Sequence, residues 1–84
     1  MNSETRRALT DTCYRYALEL RSRILRENPG IQQDDYQDEF MIHWIEYFDK
    51  ILKEFGRYLN ENDLNEYYDI LRKIEKEMLD MSVF

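Results

Sequence analysis

The sequence predicts an all-α fold: an antiparallel three-helix bundle, elongated along its axis. Three observations predict it. Apolar residues recur at alternating spacings of three and four over three long segments, the pattern of helix faces that pack on other helices. Two short breaks, Asn28-Pro29-Gly30 and Asn60-Glu61-Asn62-Asp63, separate the segments. Connections this short join neighbouring helices of opposite direction. Val occurs only at position 83 and Thr only at 5, 10 and 12, which suits helices and not sheets.

The first helix is expected over about residues 3–28. Ser3 is a good N-cap and Glu4 sits where the helix dipole favours an acid. Leu9, Cys13, Tyr16, Ala17, Leu20 and Ile24 form its apolar face, widened by Tyr14, Leu18 and Leu25, with six Arg over much of the remainder. Asp11 with Arg15 and Glu19 with Arg23 stand at i, i+4 in the favoured order, each worth roughly 0.2–0.5 kcal/mol. Pro29 pushes Asn28 out of the helical region, and Gly30 tolerates the reversal.

The second helix is expected over about residues 34–59, opened by Asp34 and Asp35. Its predicted core seam is Met41, Trp44, Phe48, Ile51, Phe55 and Tyr58, flanked by Phe40, Ile45, Tyr47 and Leu52. This stretch holds the sole Trp, the sole His and three of the four Phe, and the other two helices are built to cover it. Gly56 is a candidate stop, but Tyr58 and Leu59 keep the period. The third helix is expected over about residues 63–81, with Leu64, Tyr67, Leu71, Ile74, Met78 and Met81 inward. The tail Ser82-Val83-Phe84 either frays or docks through Phe84. Helices of this length each span about 30–39 Å.

With 84 residues there is room for a single domain with a modest core. A homodimer through the broad apolar faces is the rival architecture, and self-association is expected from an apolar content of 43% in thin amphipathic helices. One cysteine builds no disulfide within the chain. No stretch is apolar enough to span a membrane, and MNSETRRALTDT lacks the apolar core of a secretion signal, so the expectation is a soluble cytoplasmic protein with no membrane contact.

Net charge is −6, unevenly placed: residues 1–28 carry +2 and residues 29–84 carry −8. Between Ile31 and Asp49 there are six acids and no Lys or Arg. Asp34 and Asp35 compensate the helix dipole; Asp38, Glu39 and Glu46 lie too deep in the helix for that.

Few chemistries fit. Glu39, His43 and Glu46 share one helix flank, but a di-iron arrangement requires Glu-x-x-His from two helices and two further Glu, and this chain has one His. No phosphate-cradling loop, Ser-His-Asp set or Cys-x-x-Cys is present, so neither an enzyme nor a cofactor is expected. The Arg side chains of the first helix are interleaved with acids, which disfavours nucleic acid as a direct ligand. What remains is protein binding, as an inhibitor or regulator of another protein. The candidate contact residues are Asp35, Asp38, Glu39 and Glu46 on the acidic flank, Tyr36 and Tyr47 at the stripe margin, and Arg15 and Arg23 on the first helix. Tyr and Arg are interface-rich residues. The plainer account of the tyrosines is that they edge the core with wet hydroxyls. The alternative function is an acidic mimic of a nucleic-acid backbone that blocks a nucleic-acid-binding enzyme; a third is a self-assembling structural protein.

Overall fold

A computed structural model describes residues 1–83; Phe84, with its expected docking or fraying, lies outside the described residues. Three helices pack against one another: α1 (Ser3–Glu27), α2 (Gln33–Phe55) and α3 (Glu61–Asp80). Among the described residues there is no strand. The bundle measures 41 × 19 × 17 Å.

The ends of each helix follow from local chemistry. α1 is capped by Asn2, not by the expected Ser3: Asn2 adopts an extended backbone and its side chain accepts from the Thr5 N–H at 2.7 Å. Asn and Ser cap equally well, so the residue that is already extended takes the role. At the other end the Asn28 backbone N–H and side-chain amide both donate to the Ile24 carbonyl, at 3.0 and 2.9 Å. Gly30, at φ 77°, then reverses the chain.

α2 begins at Gln33 and ends at Phe55, short of the expected residue 59. Gly56–Tyr58 tighten into a 3-10 turn and Leu59 is extended. Gly56 keeps right-handed helical angles, so it does not stop the helix by reversing the backbone. The chain leaves α2 early because Asn60 must be extended to cap the next helix. α3 starts at Glu61, two residues before the expected start, because Asn60 and Asp63 form a capping box. Asn60 Oδ1 accepts from the Asp63 N–H at 3.0 Å, and Asp63 Oδ2 accepts from the Asn60 N–H at 3.1 Å, satisfying two orphan donors together.

Cross-helix contacts give the order of packing. Along α1 and α3 they ascend together: Met1 meets Asp63, Arg6 meets Glu66, Tyr14 meets Glu77 and Arg21 meets Ser82. Against α2 the order reverses: Tyr16 meets Glu54 and Arg23 meets Tyr47, while Tyr67 meets Phe48 and Met78 meets Tyr36.

The core on α1 and α3 follows the expected stripes: Leu9, Cys13, Ala17, Leu20 and Ile24 on one, Tyr67, Leu71, Ile74 and Met78 on the other. Tyr16 is only half-buried, and Met81 lies outside the stripe and is exposed. On α2 the expected seam is corrected. Tyr36, Phe40, Trp44, Tyr47 and Ile51 are buried, Met41 and Tyr58 are exposed, and Phe48 and Phe55 are half-buried. The helix is turned by roughly 60° from the predicted seam, at about 100° per residue. The reason is the width of its apolar arc. Residues 40, 41, 42, 44, 45, 47 and 48 are all apolar, so two overlapping seams share Trp44 and Ile51. The observed one buries four rings, Tyr36, Phe40, Trp44 and Tyr47, and the three that carry polar atoms find partners. The Tyr36 hydroxyl donates to the Met78 carbonyl at 2.8 Å, and Trp44 Nε1 donates to the Leu71 carbonyl at 3.3 Å. The Tyr67 hydroxyl donates back to the Phe48 carbonyl at 2.6 Å.

The last turn of α3 contains no basic residue and its C-cap is not a glycine. Its free carbonyls are capped from α2 instead. Gln33 and Gln37 donate to the Leu79 carbonyl at 3.2 and 2.9 Å, beside the Tyr36 bond to Met78. Gln33 also donates to the Met81 carbonyl at 3.0 Å and accepts from the Val83 N–H at 2.9 Å.

Candidate interaction surface

The turn of α2 sorts the predicted site residues into three groups. Tyr36 is fully buried and Tyr47 nearly so; both are core residues, not the surface contacts expected. Tyr36 is held by its bond to Met78 and lies under the Arg21 guanidinium at 5.0 Å. Tyr47 stacks at 5.6 Å on Tyr16 and at 6.0 Å on Trp44.

Glu39 and Glu46 form the second group. They flank His43 on the edge of α2, with Glu39 Oε2 3.3 Å from Nε2 and Glu46 Oε1 3.8 Å from Nδ1. The carboxylates address opposite ring nitrogens, so a cation at either nitrogen would meet only one of them. Among the described residues no group of three or more His, Cys, Asp and Glu side chains is arranged to hold a metal ion.

The third group is an exposed row. Asp35, Asp38, Ile42, Ile45 and Asp49 recur at spacings of three, four, three and four, so they share one stripe, and all five are exposed. Ile42 is 62% and Ile45 66% exposed, the two highest values among the large apolar side chains of the described residues. Beside them lie Met41 and, across the seam with α3, Tyr68, at 46% and 40%. Phe48 joins the two sides, its ring centroid 6.4 Å from that of Tyr68. The sequence places Ile45 at the expected core margin and suggests no role for Ile42. The signal was there: the row keeps helical period but lies on the side of α2 opposite Tyr47.

Three of the six Arg of α1, Arg6, Arg21 and Arg23, are engaged within the fold, and Arg7, Arg15 and Arg26 are exposed. Arg6 pairs with Glu66, which raises its pKa and lowers that of Glu66. Arg21 donates to the Ser82 carbonyl at 2.6 Å. Arg23, half-buried, has Nη1 3.5 Å from the Tyr47 hydroxyl. Arg15 is exposed, 5.4 Å over the Tyr16 ring and 4.0 Å from Glu54. Arg15 and Arg23 thus sit along the α1–α2 seam, away from the isoleucine row, and no single surface gathers all the predicted residues.

Three further polar groups are held within the fold. Asp63 binds the Met1 amine at 2.8 Å, and this contact, with the Asn60 N–H, holds its carboxyl below the usual range. Burial pushes the Cys13 thiol up to about 12 and drives the Tyr67 hydroxyl far above its ordinary value. Surface depressions are shallow and open; one of about 320 Å³ is lined by Glu4, Thr5, Ala8, Phe55 and Tyr58. Among the described residues no helix is long and apolar enough to cross a membrane. No protein-family model, curated protein or solved structure matches the chain.

Proposed function

We propose that this chain acts by binding another protein, as an inhibitor or regulator, and carries out no chemistry of its own. The observation that carries the reading is the pair Ile42 and Ile45, exposed side by side on the outer stripe of α2. Each leaves apolar surface in water at a cost of about 25 cal/mol per Å², which a partner would recover. An adjoining apolar patch bordered by charge is the usual form of a protein contact site.

The acidic-mimic reading is weaker on this geometry. The acids of α2 do not form a continuous strip: the Asp38 and Asp49 stations are separated by two isoleucines, where a phosphate backbone would be charged throughout. The test is affinity capture from host lysate, washed at low and high salt with nuclease treatment in parallel. The expected result is a protein retained after nuclease and at high salt, because apolar contacts are not screened. Retention that needs nucleic acid, or recovery of only the chain itself, would overturn the reading.

A further inference from the structure

We infer that the outer stripe of α2 receives a cationic amphipathic helix of the partner, a proposal that rests on the protein-binding reading above. Three observations lead there. The stripe is helical in period and exposed along its length. Ile42 and Ile45 stand at its centre, with Met41, Phe48 and Tyr68 forming one apolar wall toward α3. A helix laid along such a face engages it through apolar anchors at i and i+3.

Charge then selects the occupant. Asp38 lies four residues before Ile42 and Asp49 four residues after Ile45, with Asp35 one turn beyond Asp38. Asp38 and Asp49 are about 16 Å apart along the axis at 1.5 Å per residue. No Lys or Arg lies between Ile31 and Asp49; Lys53 closes the row one turn beyond Asp49. A matching helix therefore carries two apolar residues at i and i+3, with a base about four residues outside each.

The other occupants fail on the same charges. A second copy laid across a two-fold axis centred between Ile42 and Ile45, with helices in opposite directions, sets Asp38 of one copy beside Asp49 of the other. With helices in the same direction, each Asp faces its own copy. Both set like charges on either side of the isoleucines, which opposes association; the antiparallel arrangement offsets part of this by bringing Lys53 opposite Asp34 of the other copy, and sedimentation separates the two occupants. Nucleic-acid phosphates and anionic lipid headgroups are repelled by the same acids.

The test uses the full chain and two synthetic helical peptides. One has Leu at i and i+3 with Arg at i−4 and i+7; its sibling has Glu in place of Arg. Fluorescence anisotropy gives each affinity. The Arg peptide is expected to bind saturably and the Glu peptide not to bind. Ile42→Ser with Ile45→Ser is expected to weaken binding at least about tenfold, as is Asp38→Lys with Asp49→Lys, and the latter variant is expected to take up the Glu peptide. These positions are exposed, so the variants keep the parent's helical circular dichroism. Equal binding of both peptides, or no binding below about 1 mM, would overturn the proposal. So would a dimer in sedimentation that the isoleucine variant dissolves, which would assign the stripe to a second copy. A lysate partner captured equally by parent and both variants would leave protein binding standing and overturn only the α2 stripe.

Discussion

Trp44 shows at the scale of one residue what holds this bundle. It is fully buried, its indole N–H is bonded to the Leu71 carbonyl, and it packs on Phe40, Tyr47 and Phe48 at 5.5, 6.0 and 5.9 Å. Trp44→Ala should cost about 3–5 kcal/mol in urea unfolding, enough to remove much of the stability of a domain this small. Tyr36→Phe should cost about 1–2 kcal/mol, since it keeps the ring but leaves the Met78 carbonyl without its donor. Cys13 provides a second check. Its thiol is buried in the core and its pKa is pushed up to about 12, so almost no thiolate exists at neutral pH. A disulfide-exchange reagent should label it slowly in the native protein and rapidly in denaturant; equal rates would place the thiol at the surface. Core residues of α1 were legible from their period alone. The burial of Tyr36 was not, because an amphipathic ring at a stripe margin reads equally well inward or outward until a carbonyl is found for its hydroxyl.

At the scale of the element, the informative case is α2. Its existence was plain from sequence, whereas its rotation was not: a helix apolar over so wide an arc has no unique inward face, and the choice falls to the partners on either side. The same ambiguity hid the isoleucine row, because an apolar residue at the margin of a wide stripe, such as Ile45, reads as core. Helix ends were set by caps that act across two or three residues, hence the displacements at Asn2, Leu59 and Asn60. The α2 boundary yields a prediction. Gly56 has helical angles and open space where a Cβ would go. Gly56→Ala should therefore stabilise the protein by about 0.4–1 kcal/mol, largely by restricting the unfolded chain, read as a higher urea midpoint. The start of α3 yields a pH prediction. The pKa values of Asp63 and Glu66 are depressed in the fold by the Met1 amine, the Asn60 N–H and Arg6. Depressed carboxyls contribute stability that is fully present above their unfolded values, about 4, and is lost as pH falls through the folded ones. Urea midpoints should thus fall between about pH 5 and 2, and Arg6→Ala should flatten that slope by removing the Glu66 partner. An unchanged slope would show that Arg6 and Glu66 contribute nothing.

For the whole molecule, the uneven charge seen in the sequence is resolved by packing. Of the six Arg on α1, Arg6, Arg21 and Arg23 engage Glu66, the Tyr36 ring with the Ser82 carbonyl, and Tyr47, while Arg7, Arg15 and Arg26 stay exposed. Among the described residues Asp35, Asp38 and Asp49 form no ion pair, with Lys53 one turn beyond Asp49. Composition alone showed the imbalance; only the placement of three helices shows which of its charges are engaged within the fold and which are not. Most of the fold was therefore readable from period and turns. Half of the candidate surface was readable from charge, and its apolar centre only after α2 had been oriented.

The capping of α3 by side chains of α2 has a kinetic corollary. A helix whose final carbonyls are satisfied by its own sequence can fray and reform alone. Here those acceptors depend on Gln33, Gln37 and Tyr36, more than forty positions earlier in the chain. The end of α3 therefore closes only when the start of α2 is in place, and the two open together. Amide protons in the last turn of α3 should exchange with solvent as slowly as those of the core, through global opening. In a Gln33→Ala, Gln37→Ala variant the same amides should exchange ahead of the core, by a local route that the parent lacks.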